Sequence, residues 1–182
     1  MKKLTFALLL AFLVSASSTK AQSIQKGDNV VALGVGFGSS ILNFSGSSQT
    51  PAISISFEHA TFEAGDDGLI SLGAYLGTKS YKYSGDSYTQ KWSYTIVGLR
   101  GAYHYTALGD KVDVYGGIML SYNALKYKDN YSGGGYVGNY GSGGTGFTAF
   151  VGGRYYFSEH IAAMAELGYG VSYLTVGLAF KF

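Results

Sequence analysis

Few side chains in this sequence could carry chemistry, and their spacing limits what that chemistry could be. Three histidines, His59, His104 and His160, offer a general base or a metal ligand. With a serine hydroxyl and a carboxylate in mutual hydrogen-bond reach, such a base could activate a nucleophile for acyl hydrolysis. A second set consists of Glu58, Arg100, Arg154 and Glu166, with Asp113 and Lys181 toward one end. These could pair into a polar network that fills an interior, or ring a narrow channel as a gate. There is no cysteine, so a disulfide scaffold, a thiolate metal site and a cysteine nucleophile are all excluded. Gly34 to Gly38 superficially suggests a nucleotide-binding loop, but the spacing is wrong and no helix follows to receive a phosphate. The sequons at Asn43 and Asn130 are too weak a signal to act on.

The elements that must position these residues begin after a leader. Lys2 and Lys3 precede an apolar run from Leu4 to Val14, and small residues lead to Ala21. Residues 1–21 therefore read as a secretory signal peptide for the general export route, with cleavage after Ala21. The apolar run is too short to span a bilayer. Removing it also removes Lys2, Lys3 and Lys20 from the 13 Lys and Arg, leaving ten cations against 11 acids. The basic character of the whole chain is thus largely the leader's. A nucleic-acid partner, which would call for a concentrated basic surface, is not expected.

The whole chain carries 28 Gly, 17 Tyr and 11 Phe, with a single proline, and all but two of the phenylalanines follow the leader. No stretch is long and apolar enough for a transmembrane helix, so a membrane form must be a closed barrel. Period-two alternation recurs from Asn29 to Phe182 in eight runs. In the last, Leu174, Val176, Leu178, Phe180 and Phe182 oppose Thr175, Gly177, Ala179 and Lys181. Another sets Val97, Leu99 and Tyr103 against Gly98, Arg100 and His104. The second face is Gly, Ala, Ser and Tyr with isolated charges, a poor surface for solvent but a good filling for a narrow interior. The expected fold is all-β, an eight-stranded antiparallel up-and-down transmembrane β-barrel. A soluble, lipocalin-like carrier is the less favoured alternative.

Long polar segments at 39–51, 79–91 and 126–146 alternate with short turns at 61–68, 106–111 and 158–160, the pattern of an outer-membrane barrel. This topology places all three histidines at the periplasmic rim, away from an outer-leaflet substrate. Trp92 and Tyr122 are expected in the outer aromatic girdle, and Tyr103, Tyr105, Tyr155, Phe157, Phe180 and Phe182 in the inner one. The exterior would be rich in tyrosine through Tyr83, Tyr88, Tyr127, Tyr131, Tyr136 and Tyr140, a composition suited to adaptable contact surfaces.

The ending from Tyr173 to Phe182 resembles the carboxy-terminal strand of outer-membrane barrels. So do Val97 to Tyr103, Val151 to Phe157 and Ala165 to Gly170 with their downward strands. On those residues the mature chain resembles the outer-membrane β-barrel domain family, the small OmpX-, OmpA- and opacity-type barrels of Gram-negative cells, often named porin family. The resemblance implies that Phe182, with Phe180 and Leu178, forms an assembly signal. It implies barrel-assembly machinery and periplasmic chaperones as partners during biogenesis, and outer-membrane lipid afterwards. It does not imply one function. The residues favour a monomeric, non-enzymatic barrel without cofactor or metal, serving envelope structure or surface contact through its loops. A small passive pore is the alternative, and a lipid-modifying enzyme using the histidines the third reading.

Overall fold

The structure, a computed structural model, describes residues 23–41, 48–84, 89–129 and 140–182, with positions 129 and 140 described in their backbone only. The proposed leader therefore lies outside the described residues, as do Tyr88, Tyr131 and Tyr136. The strands are β1 (Asn29–Phe37), β2 (Ser48–Gln49), β3 (Ala52–Glu63), β4 (Gly68–Ser84), β5 (Thr89–Tyr105), β6 (Val112–Asp129), β7 (Tyr140–Tyr156), β8 (Ile161–Tyr169) and β9 (Leu174–Lys181). All pairings are antiparallel, and β1 closes the ring by pairing with both β3 and β9. The pair Val31 and Phe180 stands near one end of the β1–β9 seam and Phe37 with Leu174 at the other. Strand β2 continues the line of β3 along β4, beyond an interruption at Thr50 and Pro51. Proline has no N–H to give to the ladder, which accounts for the break. The wall is thus an eight-stranded up-and-down barrel.

Alternation sorts the wall as the sequence predicts. Leu33, Leu99, Leu120, Val151 and Leu167 are among the large apolar side chains that face outward and are exposed. Arg154, Glu58, Arg100, Asp113 and His104 face inward and are buried. A soluble carrier barrel would show the reverse, so the lipocalin-like alternative does not fit. Glycine makes the tight inner radius possible at particular points. A Cβ at Gly73 would run into the carbonyl of Phe57, and one at Gly177 into that of Leu33. Both obstacles are backbone, so no side-chain rotation relieves them.

The lumen is packed in layers. Near the chain termini Ile24, Val30, Ala32, Leu69, Tyr156 and Met164 belong to an apolar cluster. Farther along the axis a second cluster contains Ile96, Tyr115, Met119, Phe150 and Val171, with Ile41 and Tyr75 against it. The β8–β9 connection folds inward here, and Ser40 N–H donates to the Gly170 carbonyl at 3.0 Å. Charged side chains lie between the two clusters.

One expectation needs correction. In the segments 79–91 and 126–146, read as long loops, the described residues are strand. The β4–β5 ladder runs to Ser84 and Thr89, and the β6–β7 ladder to Tyr127 and Tyr140. Cross-strand aromatics extend the sheet past the lipid belt: Tyr81 meets Tyr94 edge-on at 5.9 Å, and Trp92 lies 5.4 Å from Tyr127. Tyrosine favours strands as much as binding loops, and the sequence pattern did not separate these roles. Tyr83 and Tyr127 accordingly sit on strands. Trp92 has the parity of Ile96 and Arg100, so it faces the concave side and not an outer girdle, whereas Tyr122 does face outward.

Candidate functional site: a charged layer inside the barrel

Strand parity delivers five of the six candidate charges to one level of the lumen. Glu58 descends on β3, Arg100 on β5, Asp113 rises on β6, Arg154 descends on β7 and Glu166 rises on β8. Glu58 is shared, with Oε1 2.9 Å from Arg100 Nε and Oε2 2.7 Å from Arg154 Nη2. Arg100 Nη2 also donates to Glu166 Oε1 at 2.7 Å, and the Tyr115 hydroxyl donates to that same oxygen at 2.9 Å. Arg154 Nη1 donates to Asp113 Oδ2 at 3.2 Å. Each guanidinium also lies against a ring, Arg100 4.2 Å from the Phe150 centroid and Arg154 4.4 Å from that of Tyr115. Five strands are thereby tied across the lumen by charge-assisted bonds among largely buried side chains.

Lys181 does not join this layer. Its ammonium lies 3.2 Å from Asp28 and donates to the Ser23 carbonyl at 3.1 Å, over the Tyr156 ring. It anchors the segment before β1 beneath the barrel, one end of the lumen away from Arg100. Phe180 and Phe182 stack at 5.9 Å and, with Leu178, point outward.

The histidines separate in a way the sequence reading missed. His59 is exposed beside Asn29, and the His160 ring lies 5.8 Å from Phe180. His104 is instead fully buried inside the charged layer and not at the rim. Its Nδ1 lies 2.8 Å from Asp113 Oδ1, and its Nε2 2.9 Å from Ser71 Oγ. The available signal was parity: Ser71, His104 and Tyr115 alternate onto the same face as Arg100. Lys79 was missed for the opposite reason, since it fell in a presumed loop. It is buried, donates to the Gly38 carbonyl and lies 5.7 Å from the Tyr81 ring centroid.

Ser71, His104 and Asp113 have the connectivity of a nucleophile, its base and an orienting acid. Access decides against that use. Ser71 and His104 are both fully buried, Asp113 is committed to Arg154, and apolar clusters stand on both sides along the axis. The cavity bordering the layer, between Tyr75, Arg100, Phe150 and Glu166, measures about 30 Å³ and does not reach Ser71. That holds one or two waters, not an ester. A fluorophosphonate probe is therefore expected to leave the folded chain unlabelled. Stoichiometric labelling at Ser71, lost in Ser71→Ala, would establish a nucleophile. Among the described residues no group of His, Asp and Glu is arranged to hold a metal ion.

No protein-family model and no curated protein matches the chain. Solved structures do resemble it. The N-terminal β-barrel domain of Pseudomonas aeruginosa OprF aligns with a TM-score of 0.52 at 16% identity, over 86% of this chain and 98% of that one. OprG of the same organism gives 0.55 at 14% identity, over 88% and 98%. Ail, the attachment invasion locus protein of Yersinia pestis, solved with the heparin analogue sucrose octasulfate, gives 0.52 at 10% identity, over 87% and 100%. At these identities the likeness concerns the fold, and that fold is the eight-stranded outer-membrane β-barrel.

Proposed function

We propose that the chain is a non-enzymatic, monomeric barrel integral to the outer membrane, serving envelope structure or surface contact through its outer end. The observation that carries this reading is the filled lumen, an ion-paired layer held between two apolar plugs. A passage for solutes would need a continuous wet path, whereas Arg100, Glu58 and Arg154 are all buried across the bore. Outer-membrane placement is supported by the apolar outer wall, by both described ends lying on one side and by the longer hairpins on the other. Within this proposal residues 1–21 export the chain, Phe182 guides its assembly, and the contact surface includes the tyrosine-bearing outer hairpins.

Planar-bilayer recording of the refolded mature chain tests the reading, with heat-dependent gel mobility confirming that it folded. The expected result is a folded but silent barrel. Discrete openings altered by Arg100→Gln or Glu166→Gln would turn the charged layer into a gate and favour the pore.

A further inference from the structure

The ladders of β4, β5 and β6 set three lysines side by side. Lys82 is the Cα partner of Lys91, and Lys91 of Lys128. Lys126, two residues below Lys128, is opposite Ser93. All four are exposed and share the outward parity of Val97 and Leu99, so they project from the convex wall and not into the lumen. Directly opposed side chains on a sheet start about 5 Å apart, and like charges there repel. No described carboxylate forms an ion pair with any of the four. Such a row is stable beside something anionic.

Height along the barrel says what that is. On β5 the outward face runs from Tyr105 to Thr95. At about 3.4 Å per residue and a tilt of about 40°, this rises about 26 Å. That matches an apolar band of about 25 Å. Lys126 pairs with Ser93, which stands about 5 Å above the band's edge, and Lys91 stands about 10 Å above it. Tyr122, outward on β6 below Lys126, marks the interface. The row therefore lies at the depth of lipid phosphates.

Charge is also segregated along the axis. The sequence of the outer end supplies Lys79, Lys82, Lys91, Lys126 and Lys128 against Asp86 and Asp129. The opposite end supplies Lys26, Lys111 and Lys181 against Asp28, Glu63, Asp66, Asp67, Asp110 and Glu159. The two ends thus carry net charges of opposite sign, and the cationic end is the one with the lysine row on its lipid-facing side.

We propose that Lys82, Lys91, Lys126 and Lys128 form a lateral binding strip for the phosphate groups of outer-leaflet lipid. The strip relieves its own repulsion by holding lipid phosphates between neighbouring ammonium groups, and so fixes a shell of anionic lipid on one side of the barrel. It rests on the outer-membrane placement proposed above. The probe is phosphatidic acid in phosphatidylcholine vesicles, with the lipid retained on the extracted barrel measured by mass spectrometry. The folded wild type is expected to enrich phosphatidic acid, and Lys91→Gln, the centre of the row, to lower that enrichment about fivefold. The fourfold Lys→Gln variant should abolish it, while Lys26→Gln with Lys111→Gln should preserve it. In pure phosphatidylcholine the glutamine variants should unfold at equal or higher urea than wild type, because the repulsion is gone. Equal enrichment by wild type and Lys91→Gln would overturn the proposal, as would loss of enrichment in the Lys26 and Lys111 variant. Stabilisation of the wild type against urea by inorganic phosphate equal to that by phosphatidic acid would show that lipid is not the partner. Failure to insert into any vesicle would instead count against the outer-membrane placement itself.

Discussion

Arg154→Met is expected to lower the unfolding free energy of the barrel by about 3–5 kcal/mol. The arginine is buried, and its guanidinium holds Glu58 at 2.7 Å and Asp113 at 3.2 Å. Methionine fills most of the volume but leaves two carboxylates in a dry lumen with their main cation gone. The loss is the uncompensated charge, not the value of the pairs themselves, which burial makes costly to form. Neutralising the acids should therefore restore much of it. Arg154→Met combined with Glu58→Gln and Asp113→Asn is expected to recover at least half of the lost stability, even though it deletes more of the network. Arg100→Met should cost less, because Glu166 is more exposed and keeps the Tyr115 hydroxyl. Urea titration in vesicles, followed by the heat-sensitive gel shift, measures all three. A cost below about 1 kcal/mol for Arg154→Met would mean that water reaches these carboxylates, and the sealed-lumen reading would fall with it.

The sequence makes the wall of this barrel far more legible than its contents. Period-two alternation is a direct image of a sheet with one face in lipid, so Leu174, Val176 and Leu178 against Thr175 and Gly177 suffice to orient β9. The same parity puts Glu58, Arg100, Arg154 and Glu166 on one face, but it says nothing of height around the ring. Height depends on stagger between strands, and only the register shows that Lys181 lies below the layer while Asp113 is within it. His104 illustrates the limit. Its parity matched Arg100, yet its closeness to a strand end suggested a rim, because the inward reach of an imidazole toward Ser71 cannot be read from position in the chain. The outer hairpins were obscured by composition instead. Residues such as Tyr83, Trp92 and Tyr127 satisfy both a strand's preference and a contact loop's, and cross-strand pairing decided between them. The lysine row was invisible for another reason: Lys82, Lys91 and Lys128 lie on three strands and become neighbours only through the ladders.

Leu99→Arg separates a membrane wall from a soluble one with a large difference in outcome. Leu99 is 75% exposed, facing away from the lumen between Ala74 and Leu120 in the register. In water, arginine at so open a strand position would change stability by no more than about 0.5 kcal/mol. In a bilayer the position falls near the middle of the band between Tyr105 and Thr95, where a guanidinium costs about 2–4 kcal/mol. Thr95→Arg provides the depth control on the same strand and the same face. Near the interface its side chain can reach the headgroups, and the expected cost falls to about 0–1 kcal/mol. The comparison holds backbone, strand and substituent constant, leaving depth as the variable. Equilibrium unfolding of both variants in phosphatidylcholine vesicles should therefore place Leu99→Arg at a clearly lower urea midpoint than Thr95→Arg. Equal midpoints would mean that the outer face does not meet hydrocarbon at Leu99, and the depth assigned to the lysine row would lose its ruler.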